Sequence, residues 1–355
     1  MKDDVKLEGQ APSAASFGIS FRDTPPDAEW TPRFVSTVQN LVTAITQALN
    51  LSNLDGITIG FDYDLALASV DLGYESNIAK RYTNKNGLVG VGKTLRVRRG
   101  GVVRIHVVLN GEAIFDLVEH EPETEEFWRA ANLIAHELGH VKTAAWFEGH
   151  SPGVMLAKHD CDWALSILRD AAHGIWEEYA ACRLSAGVSR GNLVTDIYTE
   201  TLECSMAGAV EHARSAIKAH YEHRDATRLL VETLGAISTP LNHSMYLMGH
   251  LEGLEQEIDI DRFSSSTGEL APYLSDALIA VRKCWENKAP WNGLAGLDPI
   301  IDVLVDAMKM TGLALTLNQE PPGSSFSVIY SAATLPNGEA DMEIIRMKRT
   351  LGIQI

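Results

Sequence analysis

Apolar residues recur along this chain with two spacings, and their order predicts an α+β fold. Phe17-Gly-Ile-Ser-Phe21 alternates briefly and predicts a strand, within an otherwise loosely held arm over residues 1–30 that is rich in Ala, Ser, Gly, Asp and Pro. Phe34, Val38, Leu41, Val42, Ile45 and Leu49 then recur at helical spacing behind Thr31-Pro32, a cap residue with proline at the first helical position. Ile57, Ile59 and Phe61 alternate as a strand. So do Thr94–Arg98 and Val102–Leu109, on either side of Arg99-Gly100-Gly101, which predicts a hairpin. Asn110-Gly111 marks the next turn, and Pro122 with Glu123, Glu125 and Glu126 supplies negative charge suited to a helix N-terminus.

Helical spacing governs most of the remaining chain. One helix carries residues 127–145, a second runs from about Asp162 to Ala186, and further helices are predicted over Asp196–His220, Asp225–Ile237, Leu241–Leu254, Ala271–Asn287 and Pro299–Met310. Leu335-Pro-Asn-Gly-Glu339 has the composition of a turn closing a terminal hairpin. The chain thus divides into the arm, a domain over 31–190 and a mostly helical region over 191–355, without an internal repeat.

Composition narrows the partners. A net charge of −17 repels nucleic-acid phosphates and anionic lipid surfaces, because an acidic surface has no counterion release to gain. No apolar run at the start suits a signal peptide and none elsewhere reaches membrane-spanning length, so a cytoplasmic protein is expected. Cys161, Cys182, Cys204 and Cys284 form no C-x-x-C pair and read as reduced core residues; the oligomeric state stays open.

The chemistry concentrates in Ile134-Ala-His-Glu-Leu-Gly-His-Val141, which contains H-E-x-x-H. On a helical wheel with Phe127 at zero, Ala131, Ile134, Leu138, Val141 and Ala145 fall within about 40°, while His136 and His140 lie near 180° and 220°. The two imidazoles share a face on adjacent turns, so both can reach one zinc ion, and Glu137 points aside, where a general base belongs. The bland alternative is a pair of solvated histidines. Zinc needs a third protein ligand and a vacant position. Downstream, Trp176-Glu-Glu-Tyr-Ala-Ala-Cys-Arg183 lies on a helix whose wheel places Glu178 at the edge of the apolar stripe and Glu177 opposite it, in solvent. His150, Asp160 and Asp162 compete as third ligands on spacing alone.

His136-Glu-Leu-Gly-His140 followed by Glu178-Tyr-Ala-Ala-Cys182 resembles the gluzincin pattern, H-E-x-x-H with a later helical E-x-x-A-D, found in cytosolic peptidases of the ImmA/IrrE type. The resemblance covers about residues 31–190. It implies a zincin-like small sheet with an active-site helix and a ligand helix. It also implies Zn2+ held by His136, His140 and Glu178, with Glu137 as catalytic base and a polypeptide as substrate. Zincins pair an extended substrate with the last strand before the helix, a place that Val102–Leu109 holds in chain order. Cys182 stands where the family has an aspartate that supports a ligand histidine. The metzincin extension is absent, because Thr143 and Trp146 occupy its glycine and histidine positions.

The resulting expectation is zinc-dependent hydrolysis of peptide bonds. The alternative is a zinc-binding regulatory or sensing module with weak catalysis, for which Cys182 is the hint. His173, His243, Tyr246 and His250 are candidate donors to a developing oxyanion. Gly87-Leu-Val-Gly-Val-Gly-Lys-Thr94 also fits the P-loop pattern G-x-x-x-x-G-K-T and would suggest nucleotide binding. That pattern requires a helix after it, and Leu95-Arg-Val-Arg alternates like a strand instead.

Overall fold

Strand β1 (Gly18–Arg22), β2 (Leu54–Gly60), the two-residue strands β3 (Asn84–Lys85) and β4 (Leu88–Val89), β5 (Gly92–Arg99) and β6 (Val102–Asn110) fall where the alternating segments lie. The computed structural model describes residues 17–24, 28–76, 84–85, 88–157, 161–259, 268–288, 291, 293–318 and 323–351. Four strands form one mixed sheet in the order β1-β2-β6-β5, with β1, β2 and β6 parallel and β5 antiparallel to β6. Gly100 and Gly101, both at positive φ, make the β5–β6 turn.

Side chains alternate across the sheet. Ile57 and Ile59 of β2 with Val103, Ile105, Val107 and Leu109 of β6 enter the main core. That core also takes Phe34, Val38 and Val42 of helix α1 (Thr31–Leu49). On the opposite face, Leu95, Val97 and Val108 form a smaller cluster with helix α2 (Tyr63–Ser69). A polar ladder beside that cluster ties all four strands: Ser20 Oγ lies 3.0 Å from Thr58 Oγ1, which lies 2.9 Å from His106 Nε2. His106 Nδ1 is 3.1 Å from Asp55 Oδ2, and Arg99 donates twice to Asp55 at 3.0 Å.

After the short helix α3 (Asp116–Glu119), Thr124 Oγ1 accepts from Phe127 N and starts helix α4 (Glu125–His150), whose first turn carries Glu125 and Glu126. Asp162 caps helix α5 (Trp163–Ser185) through Ala164 N at 2.9 Å. Helices α6 (Leu193–Met206), α7 (Ala209–His223), α8 (Ala226–Gly253), α9 (Ala271–Glu286) and α10 (Asp298–Thr311) come next. Strands β7 (Leu313–Thr316) and β8 (Ser325–Val328) pair antiparallel, and helix α11 (Glu339–Thr350) ends the described chain. One hydrophobic core runs from Phe34 to Ile345. Gly249 and Gly253 let α8 lie directly on α5, since a Cβ at either would stand 2.3 Å from Tyr179 O or 2.4 Å from Arg183 O.

Four details differ from the sequence expectation. Val102–Asn110 is a central strand, so the edge beside α4 belongs to β5. The helix expected over Asp196–His220 is broken by Gly208 at positive φ. The two helices expected either side of Pro240 are one, α8. The turn at Leu335–Glu339 closes no hairpin: Asp341 accepts from Asn337 N at 3.0 Å and the chain enters α11, while the hairpin lies earlier, between β7 and β8. No helix among the described residues is long and apolar enough to cross a membrane.

Candidate metal centre

Helix α4 is buried on nearly every side, and its two histidines face the one side that opens to a cleft. Gly139 lies between them in sequence and packs against α5, where an added Cβ would come within 3.0 Å of Ala181 Cα and O. That close crossing brings Glu178 beneath the imidazoles. His136 Nε2 and His140 Nε2 are 3.1 Å apart, and Glu178 Oε2 lies 3.2 Å from the first and 3.5 Å from the second. Three ligand-type atoms from two helices therefore converge on one point.

Those separations match what a metal requires. Tetrahedral zinc with ligands at about 2.0–2.1 Å sets neighbouring donor atoms about 3.3–3.4 Å apart. Glu178 Oε2 is buried and has no hydrogen-bond partner, so it faces the two Nε2 atoms as an unsatisfied acceptor. The chemistry of the set, two imidazoles and one carboxylate, suits zinc.

The outer contacts fix which ring nitrogens face inward. Cys182 Sγ lies 3.5 Å from His136 Nδ1, with the Tyr198 side chain beside it. Glu177 Oε1 lies 3.5 Å from His140 Nδ1, and its other oxygen lies 3.5 Å from His173 Nδ1. Thr143 Oγ1 donates to Glu177 at 3.4 Å. Cys182 and Glu177 thus stand on the Nδ1 sides of His136 and His140, although His140 Nδ1 has no hydrogen bond of its own, and both Nε2 atoms are left for a metal. Glu177, expected in solvent, is half-buried at the cleft, because α4 packs over its side of α5 and brings His140 and Thr143 against it.

Electrostatics concentrate negative charge at this point. Burial alone would raise both carboxyls, but His140 and His136 hold Glu178 far below the usual range. Glu177 is likewise held down, to about 2, against its burial by His173 and His140. Burial disfavours the imidazolium of His136, yet Cys182 and Glu178 outweigh it and push the ring up to about 10. His140 moves up against burial for the same reason, through Glu178 and Glu177. Two half-buried carboxylates and two proton-attracting rings make a place built for positive charge.

Glu137 is 7% exposed, and burial raises its carboxyl above the ordinary carboxylate range. It packs against Gly92 of β5, where an added Cβ would stand 2.4 Å from Oε1. Above these groups opens a cleft of about 1030 Å³, walled by β5 on one side and by α6 and α8 on the other. Tyr246 lies in that wall with its ring 6.0 Å from His136, and burial, with the Glu178 carboxylate nearby, keeps it neutral. His243 stands beside it, its ring 5.6 Å from that of Tyr246.

Other sequence candidates lie elsewhere. His150 is at the exposed end of α4, bonded to Trp146 O at 2.9 Å, and Asp162 serves as a helix cap. Asp160 and Gly87 lie outside the described residues. His173 supports Glu177, and His250 is buried against Tyr198, away from the cleft. Lys93-Thr94 begins an edge strand, so no helix N-terminus comes after it to bind phosphate. The Thr58–His106–Asp55 ladder has the order of a hydroxyl-imidazole-carboxylate relay, but Thr58 is buried in a sheet face and the large cleft opens on the other side. Cys182 and Cys284 are buried as expected, whereas Cys204 is exposed.

Sequence reasoning missed the places of Gly92, Thr143 and Tyr198, and named His173 only as a donor to an oxyanion, not as a neighbour of Glu177. Two carried a readable spacing: Thr143 lies three residues after His140 and His173 four before Glu177, each on the same helix face as that residue. No protein-family model, no curated protein and no solved structure matches the chain.

Proposed function

We propose that the chain is a zinc-dependent peptidase that hydrolyses peptide bonds in a polypeptide substrate. The observation that carries this reading is the spacing of His136 Nε2, His140 Nε2 and Glu178 Oε2, 3.1–3.5 Å apart at the foot of a large cleft, with a buried carboxyl beside them. It agrees with what the gluzincin resemblance implies.

When bound, zinc supplies Lewis acidity, which makes water a nucleophile at neutral pH and polarises a carbonyl. Glu137 accepts the proton of the attacking water and returns it to the leaving amine. Its raised affinity for a proton in the buried site suits that exchange, and Gly92 fixes its direction. The Tyr246 hydroxyl, neutral and set in the facing wall, donates to the oxygen that gains charge. An extended substrate pairs with the β5 edge across the cleft from that wall.

Elemental analysis of purified protein tests the metal. One equivalent of zinc is expected, lost on His140→Ala and on Glu178→Ala. Glu137→Gln is expected to keep the zinc and to abolish cleavage of an unfolded protein such as casein. Wild type that holds zinc yet cleaves nothing across a broad peptide library would favour the binding or sensing module instead.

A further inference from the structure

The edge strand carries a cation, Arg96, whose guanidinium is held by no ion pair with a described side chain, although its charge reaches Glu177. Arg98 N donates to Leu72 O at 2.8 Å and Arg96 O accepts from the Tyr74 hydroxyl at 3.1 Å, both on the side away from β6, whereas Val91 O accepts from Asn110 N on the β6 side. Backbone groups in an antiparallel pair alternate inward and outward. Gly92, Thr94 and Arg96 therefore direct theirs outward, and among the described residues the bonds from residues 72–74 begin at Arg96 O. Gly92 and Thr94, which line the cleft, direct their N–H and C=O groups away from β6.

Side chains alternate in the same register. Leu95 and Val97 belong to the α2 cluster, so Thr94 and Arg96 stand on the α4 and α5 face, as Gly92 does against Glu137. Arg96 lines the cleft, and its charge is felt by Glu177 and His173, which places it on the His140 side of the metal ligands. Its guanidinium nevertheless makes no hydrogen bond or ion pair with any described residue. Arg99, Arg129, Arg183, Arg214 and Arg282 each grip a carboxylate of this acidic protein. Arg96 instead lines the cleft with Met155, Ala171, Gly174 and Ile175, and with the acidic Asp170 and Glu177 of the same helix as the last three. A half-buried guanidinium with a five-donor fork matches planar oxyanions, and in a polypeptide that group is a carboxylate.

We propose that Arg96 is the receptor for a carboxylate of the bound polypeptide, held while the chain pairs with Gly92 and Thr94. This rests on the peptidase reading of the same cleft. The carboxylate comes either from an Asp or Glu side chain or from the chain terminus, and the test separates the two.

The experiment uses zinc-supplemented Glu137→Gln protein, which binds without turnover, and fluorescence anisotropy of three labelled unstructured peptides. One has an internal Glu and an amidated C-terminus, one has Gln there and a free C-terminus, and one has Gln and the amide. One carboxylate-bearing peptide is expected to bind about 10- to 100-fold tighter than the neutral one. Adding Arg96→Gln should erase that difference, and adding Arg96→Glu should shift preference to a Lys-bearing peptide, while zinc content and melting temperature stay unchanged. Equal binding of all three peptides, no binding of any, or a preference that survives Arg96→Gln overturns the proposal. Because binding is read in a variant that does not hydrolyse, a failure here is distinct from a wild type that fails to cleave.

Discussion

Gly92→Ala tests the geometry of the proposed general base without touching a metal ligand. Gly92 has no positive φ, so alanine suits the strand backbone, and any effect must come from the new methyl group. That methyl would stand 2.4 Å from Glu137 Oε1 and 2.5 Å from its Cδ and Cγ, about 1 Å short of the 3.4 Å at which ordinary contact begins. Glu137 lies between the sheet and α4 and has no free direction except into the cleft, so its carboxylate is displaced by about that amount. A misplacement of about 1 Å at a reacting group costs roughly 100-fold in rate, or about 2.7 kcal/mol of transition-state stabilisation. The assay is cleavage of casein by zinc-loaded protein, with zinc content and melting temperature measured on the same samples. The expected result is a rate down about 100-fold with both controls unchanged. A rate within threefold of wild type would refute the role given to Glu137's placement, and loss of zinc would show that Gly92 serves the metal site instead.

The site and its surroundings yield three further expected outcomes. Cys182→Ala should weaken zinc affinity about 10- to 100-fold in competition with a chromophoric chelator, and Cys182→Asp should restore it; an alanine variant that holds zinc like wild type would remove Cys182 from any supporting role. Glu177→Ala, harmless if that residue were solvated, should lower affinity about tenfold in the same titration, because His140 loses its Nδ1 partner; unchanged affinity would mean the 3.5 Å contact is idle. Burial lowers His250 to about 4, so the unfolded chain takes up its proton near pH 6.5 while the folded one refuses it. Stability is therefore full above pH 6.5 and falls towards pH 4 by about 3 kcal/mol, a loss that chemical denaturation should find reduced in His250→Leu; identical pH profiles would count against it.

The parts of the site legible in sequence are those set by one helix. The wheel places His136 and His140 on a common face and Glu178 at the margin of its stripe, and both placements hold because neighbours on a helix need no knowledge of the rest of the fold. The wheel misplaces Glu177 because a residue opposite an apolar stripe faces water only if nothing packs there, and α4 does, through His140 and Thr143. Strand order fails for a related reason. The hairpin carries β5 outside β6, so the last strand in sequence is not the last in space. Pro240 reads as a boundary, yet α8 continues through it, held by buried Leu234 and Ile237 before the lost hydrogen bond and Leu241 and Met245 after it. Gly208, by contrast, gives no interruption in the apolar spacing and ends a helix by backbone conformation alone.

The glycine contact between α8 and α5 has a mechanical consequence. With backbone resting on backbone at Gly249 and Gly253, neither rod can slide or roll without collision, so Glu178, His243 and Tyr246 travel as a single jaw. Whatever widening admits a bulky chain must therefore come from the opposite lip, where β5 meets residues 72–76.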